Sequence, residues 1–201
     1  MKTLNKNIEK ILNRNKDREQ AQKIQTNKYG KHYITDGNIL VEFKKDIPEL
    51  SDYKILDYEQ SFKLDDVFDK LIGTSKFEHI SEQDKFMLEH IKSYDKFYKE
   101  CIKGQDGYYQ YKYVILQYDL PSFYNADLLR EAVEFIGIKN LADTTISRKV
   151  LGYSADNNQM LVIENDTLKI AVMPIRFDHK SYDGIKTNND LFKTYVESKG
   201  L

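Results

Sequence analysis

The stretch KHYITDGNILVEF, residues 31–43, decides how this chain is read, because two short apolar runs flank an Asp36-Gly37 dipeptide. Residues 31–35 and 38–43 are rich in the β-branched and aromatic side chains that suit a pleated surface. Asp-Gly tolerates positive φ at both central positions of a two-residue type I′ turn, so a β-hairpin is predicted here. Downstream, Pro48 and its acidic neighbours read as a loop and 53–58 as a strand. Residues 65–72 read as a short helix ended by Gly73, the residue type that most easily takes the left-handed position after a helix.

The strongest helical pattern covers 81–103, with Ser81 as N-cap and Asp84 where a capping box carries Glu or Gln. At about 100° per residue, Lys85, Lys92, Lys96, Lys99 and Lys103 fall within an arc of roughly 60°, opposite Met87, Ile91, Tyr94, Tyr98 and Cys101. The lysine stripe would run for roughly 27 Å at ~1.5 Å rise per residue, long enough to lie across a nucleic-acid backbone and release counterions. Glu89 and Glu100 flank it, so the same face also reads as a solvated surface laced with weak ion pairs.

Further along, 109–118 reads as a strand, and Asn125 caps a helix running through Ile136 to Gly137. Strands over 144–153, 159–164 and 168–177 follow, joined by turns at 156–158 and 165–166, and a weak helix covers 189–198. Tyr108, Tyr109, Tyr111, Tyr113 and Tyr118 crowd one strand region; alternate positions fill a core, and the other face stays open for base stacking or a protein contact.

With 201 residues, 40% of them apolar, one domain with one good core is expected. Cys101 is the single cysteine, which fits a reducing compartment and an inert, core-facing thiol. Residues 1–15 lack the unbroken apolar segment of a secretory signal, and no apolar run approaches the ~20 residues that cross a bilayer, so a cytoplasmic, non-membrane protein is expected. Charge is uneven: residues 1–32 hold nine Lys and Arg against three acids, and the remainder holds 22 against 29. That is a basic arm of +6, including Lys6, Lys10 and Arg14, on a body of −7. Residues 4–12 have helical apolar spacing before a polar stretch, which reads as a short helix fading into a separate arm over 1–28.

No motif for catalysis appears. His32, His79, His90 and His179 are scattered without metal-ligand spacing, and there is no phosphate-binding glycine loop, nucleophile elbow or kinase signature. A non-enzymatic protein without cofactor or metal is expected.

A faint internal repeat links the 53–58 strand, Ser61-Phe62 and a helix ending Ile72-Gly73 with the 113–118 strand, Ser122-Phe123 and a helix ending Ile136-Gly137. Two further segments carry a family resemblance. Ile34-Thr35-Asp36-Gly37-Asn38-Ile39-Leu40 resembles the Thr-Asp-Gly-His-Arg-Leu segment of the bacterial β sliding clamp. Ala171-Val172-Met173-Pro174-Ile175-Arg176-Phe177 is similar to that family's final Met-Pro-Met-Arg-Leu strand. Shortened clamp-like proteins of phages infecting Gram-positive bacteria share this likeness, which covers about residues 29–177 loosely and the two motifs well. It implies an α+β fold of strand-helix-sheet repeats. It also implies a pocket for a short hydrophobic partner peptide around Thr35, Gly37, Leu40, Val172, Met173, Pro174, Ile175 and Arg176. Asn38-Ile39 stands where the family has His-Arg, and a 24-residue tail, 178–201, follows the strand that ends a clamp. On physical grounds alone, a Met-Pro-Ile strand is also simply an apolar edge whose proline cannot donate to a ladder.

The expectation is a phage-type, clamp-like binding protein, open to self-association, that engages double-stranded DNA or a nucleic-acid-processing protein. DNA contact would come from Lys85, Lys92, Lys96, Lys99, Lys103, Lys6, Lys10 and Arg14. The alternative is an inhibitor of a host nuclease or defence system, of anti-CRISPR type, that works by protein binding.

Overall fold

In the computed structural model of the chain, which describes residues 2–15, 22–61, 78–103, 112–117, 121–137, 144–150, 159–175 and 182–201, the predicted hairpin forms with a shifted turn. Strands β1 (Ile24–Thr26), β2 (His32–Thr35) and β3 (Ile39–Phe43) pair antiparallel in succession. Thr35 lies opposite Leu40 and Asp36 N–H donates to Ile39 O, so Gly37 and Asn38 are the central turn residues. Only Gly37 has positive φ, at 89°, which is the Gly-first pattern of a type II′ turn rather than type I′. The reason is the Asp36 side chain. Its carboxylate accepts from the N–H groups of Asn38 (2.9 Å) and Ile39 (2.8 Å), which keeps Asp36 at the start of the turn, outside its centre.

The remaining strands are β4 (Ile55–Leu56), β5 (Glu78–His79), β6 (Tyr113–Gln117), β7 (Pro121–Asn125), β8 (Thr145–Val150), β9 (Gln159–Glu164) and β10 (Leu168–Val172). Eight of them form one mixed sheet in the order β4-β1-β2-β3-β10-β9-β8-β5, in which β1 and β4 are parallel and the other pairings antiparallel. Strands β6 and β7 form a separate antiparallel ribbon.

Helix α1 (Lys2–Leu12) packs against β2, burying Ile8, Ile11 and Leu12 in the main core, so the N-terminal segment does not stand off as an arm. Helix α2 (Glu82–His90) is capped by Ser81, whose hydroxyl accepts from Asp84 N–H. It continues through a 3₁₀ turn (Ile91–Ser93), α3 (Tyr94–Phe97) and a π turn (Tyr98–Ile102). Helix α4 (Ala126–Ile136) begins at Asn125, whose side chain accepts from Asp127 and Leu128 N–H, and ends at Gly137 with φ 73°, as the sequence indicates. Helix α5 (Tyr182–Lys199) is longer than the weak 189–198 pattern. Its Ile185, Phe192 and Val196 are fully buried, and Phe192 packs its ring 4.9 Å from Tyr94 and 5.2 Å from Phe97.

One sheet face, with Ile34, Val41, Phe43, Leu161, Ile163, Ile170 and Val172, joins this helical core. The other carries a smaller buried cluster of Tyr33, Leu40, Met160, Val162 and Ala171, with Met173 packed against it. Beside that cluster the register lines up Gln25, Tyr33, Glu42, Lys169 and Glu164 across β1, β2, β3, β10 and β9. Burial raises the Glu42 carboxyl above the usual carboxylate range, opposed by the charges of Lys169, Lys31 and Lys44.

The two halves of the internal repeat differ in pairing: β4 is a parallel edge strand of the large sheet, whereas β6 belongs to the ribbon. The 65–72 helix with Gly73, the 156–158 turn, Tyr108, Tyr109, Tyr111 and Tyr118 lie outside the described residues.

Candidate functional site

Two segments far apart in the chain, 34–40 and 171–175, are neighbours in the structure. Strands β3 and β10 pair with Ile39 opposite Val172 and Leu40 opposite Ala171, and Met173 N–H donates to Asn38 O at 2.8 Å. Ile175 N–H donates to Phe123 O at 2.8 Å in an isolated bridge to the β6–β7 ribbon. The chain therefore passes from the large sheet to the ribbon at Pro174, the one residue of the three with no N–H to satisfy. Strand β10 is central, flanked by β3 and β9, and Met173-Pro174-Ile175 lies past its end, outside the large sheet's strands.

Of the residues the resemblance assigns to a peptide pocket, Gly37 is exposed and Thr35, Met173, Pro174 and Ile175 are half-buried. Thr35 donates its hydroxyl to Ile39 O (2.7 Å) and accepts from Gly37 N–H (3.0 Å), so it holds the turn. Leu40 is buried in the small cluster and Val172 in the main core, on opposite sheet faces, so these two do not line a common cavity. Arg176 lies outside the described residues.

The Asp36 carboxylate also accepts from Arg14 (2.6 Å), with 1% of the Asp36 side chain exposed. Arg14 and Lys10 both pair with Glu131 on α4. Burial, then the neighbouring Arg14 charge, pulls Lys10 below the ordinary lysine value. Two of the three arm cations expected to meet DNA are thus engaged with acids of the body, while Lys6 is exposed. Asp36 and Glu131 have structural roles that the sequence did not reveal. Asp36 was visible as a turn residue, but nothing marks Glu131 among the acids of its helix.

On the long helical segment, Lys92, Lys96, Lys99 and Lys103 are exposed and Lys85 is half-buried. Met87, Ile91, Tyr94 and Tyr98 are buried as expected, whereas Cys101 is half-buried and Ile102 takes the core position. Acids of the same segment pair with much of the stripe: Lys85 with Glu82, Lys96 with Glu100 (3.8 Å) and Lys99 with Asp95 (2.7 Å). Hydrogen bonds from Lys112 and Lys99 hold the Asp95 carboxyl down at about 2. Lys112 also reaches Asp127 on α4 (3.4 Å), so Asp95 belongs to a structural junction between the helices and the start of β6. The outer side of β6 is covered as well: Tyr94 OH donates to Tyr113 O (3.0 Å) and the Asn189 amide to Ile115 O (2.7 Å).

No family model, curated protein or solved structure matches the chain. Among the described residues, no group of three His, Cys, Asp or Glu is placed to hold a metal ion, and no helix is long and apolar enough to cross a membrane.

Proposed function

We propose that this chain is a non-enzymatic binding protein of DNA-clamp type that engages DNA or a nucleic-acid-processing protein. The observation that carries the reading is the pairing of the two clamp-like segments: more than 130 residues apart, they meet through Met173 N–H and Asn38 O. Around that contact Gly37, Met173, Pro174 and Ile175 offer partly exposed backbone and apolar surface to a short hydrophobic peptide. Lys92, Lys96, Lys99 and Lys103 supply the cations for a duplex backbone. The test is light scattering of the purified chain with and without double-stranded DNA at low salt, beside the Lys92→Glu/Lys96→Glu variant. The expected result is a DNA complex that the variant loses. A wild-type chain indifferent to duplex DNA would overturn the DNA half.

A second reading, inhibition of a host nuclease or defence complex by protein binding, is favoured by the ion pairs along the helical segment. They turn the stripe into an alternating-charge face, which suits a complementary protein surface better than a polyanion. A pull-down from host lysate separates the readings: polymerase components for the clamp type, a defence effector for the inhibitor.

A further inference from the structure

The turn at residues 27–31 presents an exposed aromatic ring on a tightly fixed backbone. Asn27 is 3% exposed, and its side-chain oxygen accepts from the N–H groups of Tyr29 and Lys31, each at 2.9 Å. Its side-chain amide donates to Glu42 at 3.3 Å, which ties the turn to β3. Asn27 N–H donates to Lys31 O, Gly30 N–H donates to Asn27 O, and Gly30 supplies the positive φ of 73°. On this frame Tyr29 is 50% exposed. A half-exposed ring on a rigid turn can meet a flat partner with little further loss of entropy.

Cations share this end of the sheet with the ring. The Lys28 ammonium lies 5.1 Å from its centroid. The β2–β3 register, with His32 opposite Phe43, brings Lys31 beside the end of β3, where its ammonium donates to Lys44 O at 3.1 Å. The Lys44 ammonium donates in turn to Asn165 O at 2.8 Å, and Lys45 is exposed next to it. Main-chain carbonyls thus position the Lys31 and Lys44 ammonium groups. Among the described residues, acids near these lysines include Asp46 and Asp166, both exposed, the half-buried Glu164 and the buried Glu42.

We propose that this end of the sheet is a contact for single-stranded nucleic acid, with Tyr29 stacking on a base and Lys28, Lys31, Lys44 and Lys45 meeting the phosphates. An aromatic ring set among cations is the combination that single strands recognise, because every unpaired base offers a face and every nucleotide a negative charge. A duplex hides its base faces in the stack, so the exposed ring favours the unpaired form. The contact is separate from the lysines of the 82–102 segment and from the peptide-accepting junction, and stands or falls apart from them.

The experiment is fluorescence anisotropy of a labelled oligothymidylate at low salt, with circular dichroism of each variant to establish that it is folded. The expected result is saturable binding that Tyr29→Ala weakens about tenfold, within the range of base–aromatic stacking, and that Tyr29→Phe retains. Lys28→Glu/Lys45→Glu should weaken it and flatten its salt dependence, while Lys186→Glu/Lys193→Glu, exposed on α5, leaves it unchanged. No binding by the wild-type chain, or equal binding by Tyr29→Ala, overturns the proposal. Loss of binding in the Lys92→Glu/Lys96→Glu variant alone overturns it too, and assigns the nucleic acid to the helical face. Tyr29-dependent capture of polyglutamate without oligonucleotide binding likewise overturns it, and makes the turn an anchor for an acidic protein.

Discussion

Asp36 sits with 1% of its side chain exposed and satisfies three donors: the N–H groups of Asn38 and Ile39 and the guanidinium of Arg14. A desolvated carboxylate is stabilising only while such partners are in place, and removing it leaves each of them unpaired. Asp36→Ala is therefore expected to cost about 3 kcal/mol, read as a lower midpoint in urea unfolding. Asp36→Asn should cost less, because the amide oxygen still caps the turn. The Asp-Gly pair made the turn legible, although the carboxylate's own hydrogen bonds moved it one residue along. Arg14 lies 22 residues earlier, and no local pattern links it to Asp36.

The segment from Glu82 to Ile102 is not one regular α-helix, and its buried residues give the reason. Leu88, Ile91, Tyr94 and Phe97 recur every third residue and are all buried. At about 100° per residue, that spacing would leave Phe97 on the opposite side from Leu88. A 3₁₀ turn at Ile91–Ser93 tightens the winding and keeps the row facing the core, and the looser π turn follows as the spacing widens from Tyr98 to Ile102. An ideal wheel consequently placed Lys92, Lys96 and Lys99 correctly on the outside, yet gave Cys101 a core position that Ile102 holds. In α5 the pattern was weak because two amides interrupt its apolar stripe. Among the described residues, neither side-chain amide atom of Asn188 has a hydrogen-bond partner although the residue is fully buried, whereas Asn189 donates to Ile115 O. Replacing an unsatisfied buried amide by an apolar group of similar size recovers its desolvation cost. Asn188→Leu is thus expected to raise stability by about 1–2 kcal/mol, visible as a higher thermal midpoint. Asn189→Leu, which deletes a made bond, should lower it.

Both terminal helices belong to the body of the molecule. Helix α1 contributes Ile8 and Ile11 to the main core, and α5 contributes Ile185, Phe192, Tyr195 and Val196 to the buried interior. Removing residues 182–201 would expose the rings of Tyr94 and Phe97 against which Phe192 packs. The shortened chain should lose its near-ultraviolet dichroism and bind a hydrophobic dye, whereas trimming a solvated tail would leave both unchanged. At this scale the sequence announced the α+β class and most strand positions through alternation, caps and turn residues. It did not announce the strand order, because pairing of 39–43 with 168–172 is a long-range event that no local spacing encodes. The candidate surfaces were legible to the same extent. Exposed lysines and the acids one turn away on the same segment follow from the local pattern, while the acids that engage Lys10 and Arg14 depend on which elements pack together.

The central place of β10 also sets the order in which the protein can be completed during synthesis. The β2–β3 hairpin leaves the ribosome well before β10, so its outer edge has no neighbour until residues 168–172 have been made. Until then that edge is an open template for other chains. Contacts this distant along the chain also make the final closure slow. A cell producing this protein has to keep the nascent hairpin apart from its copies until residues 168–172 arrive to seal it.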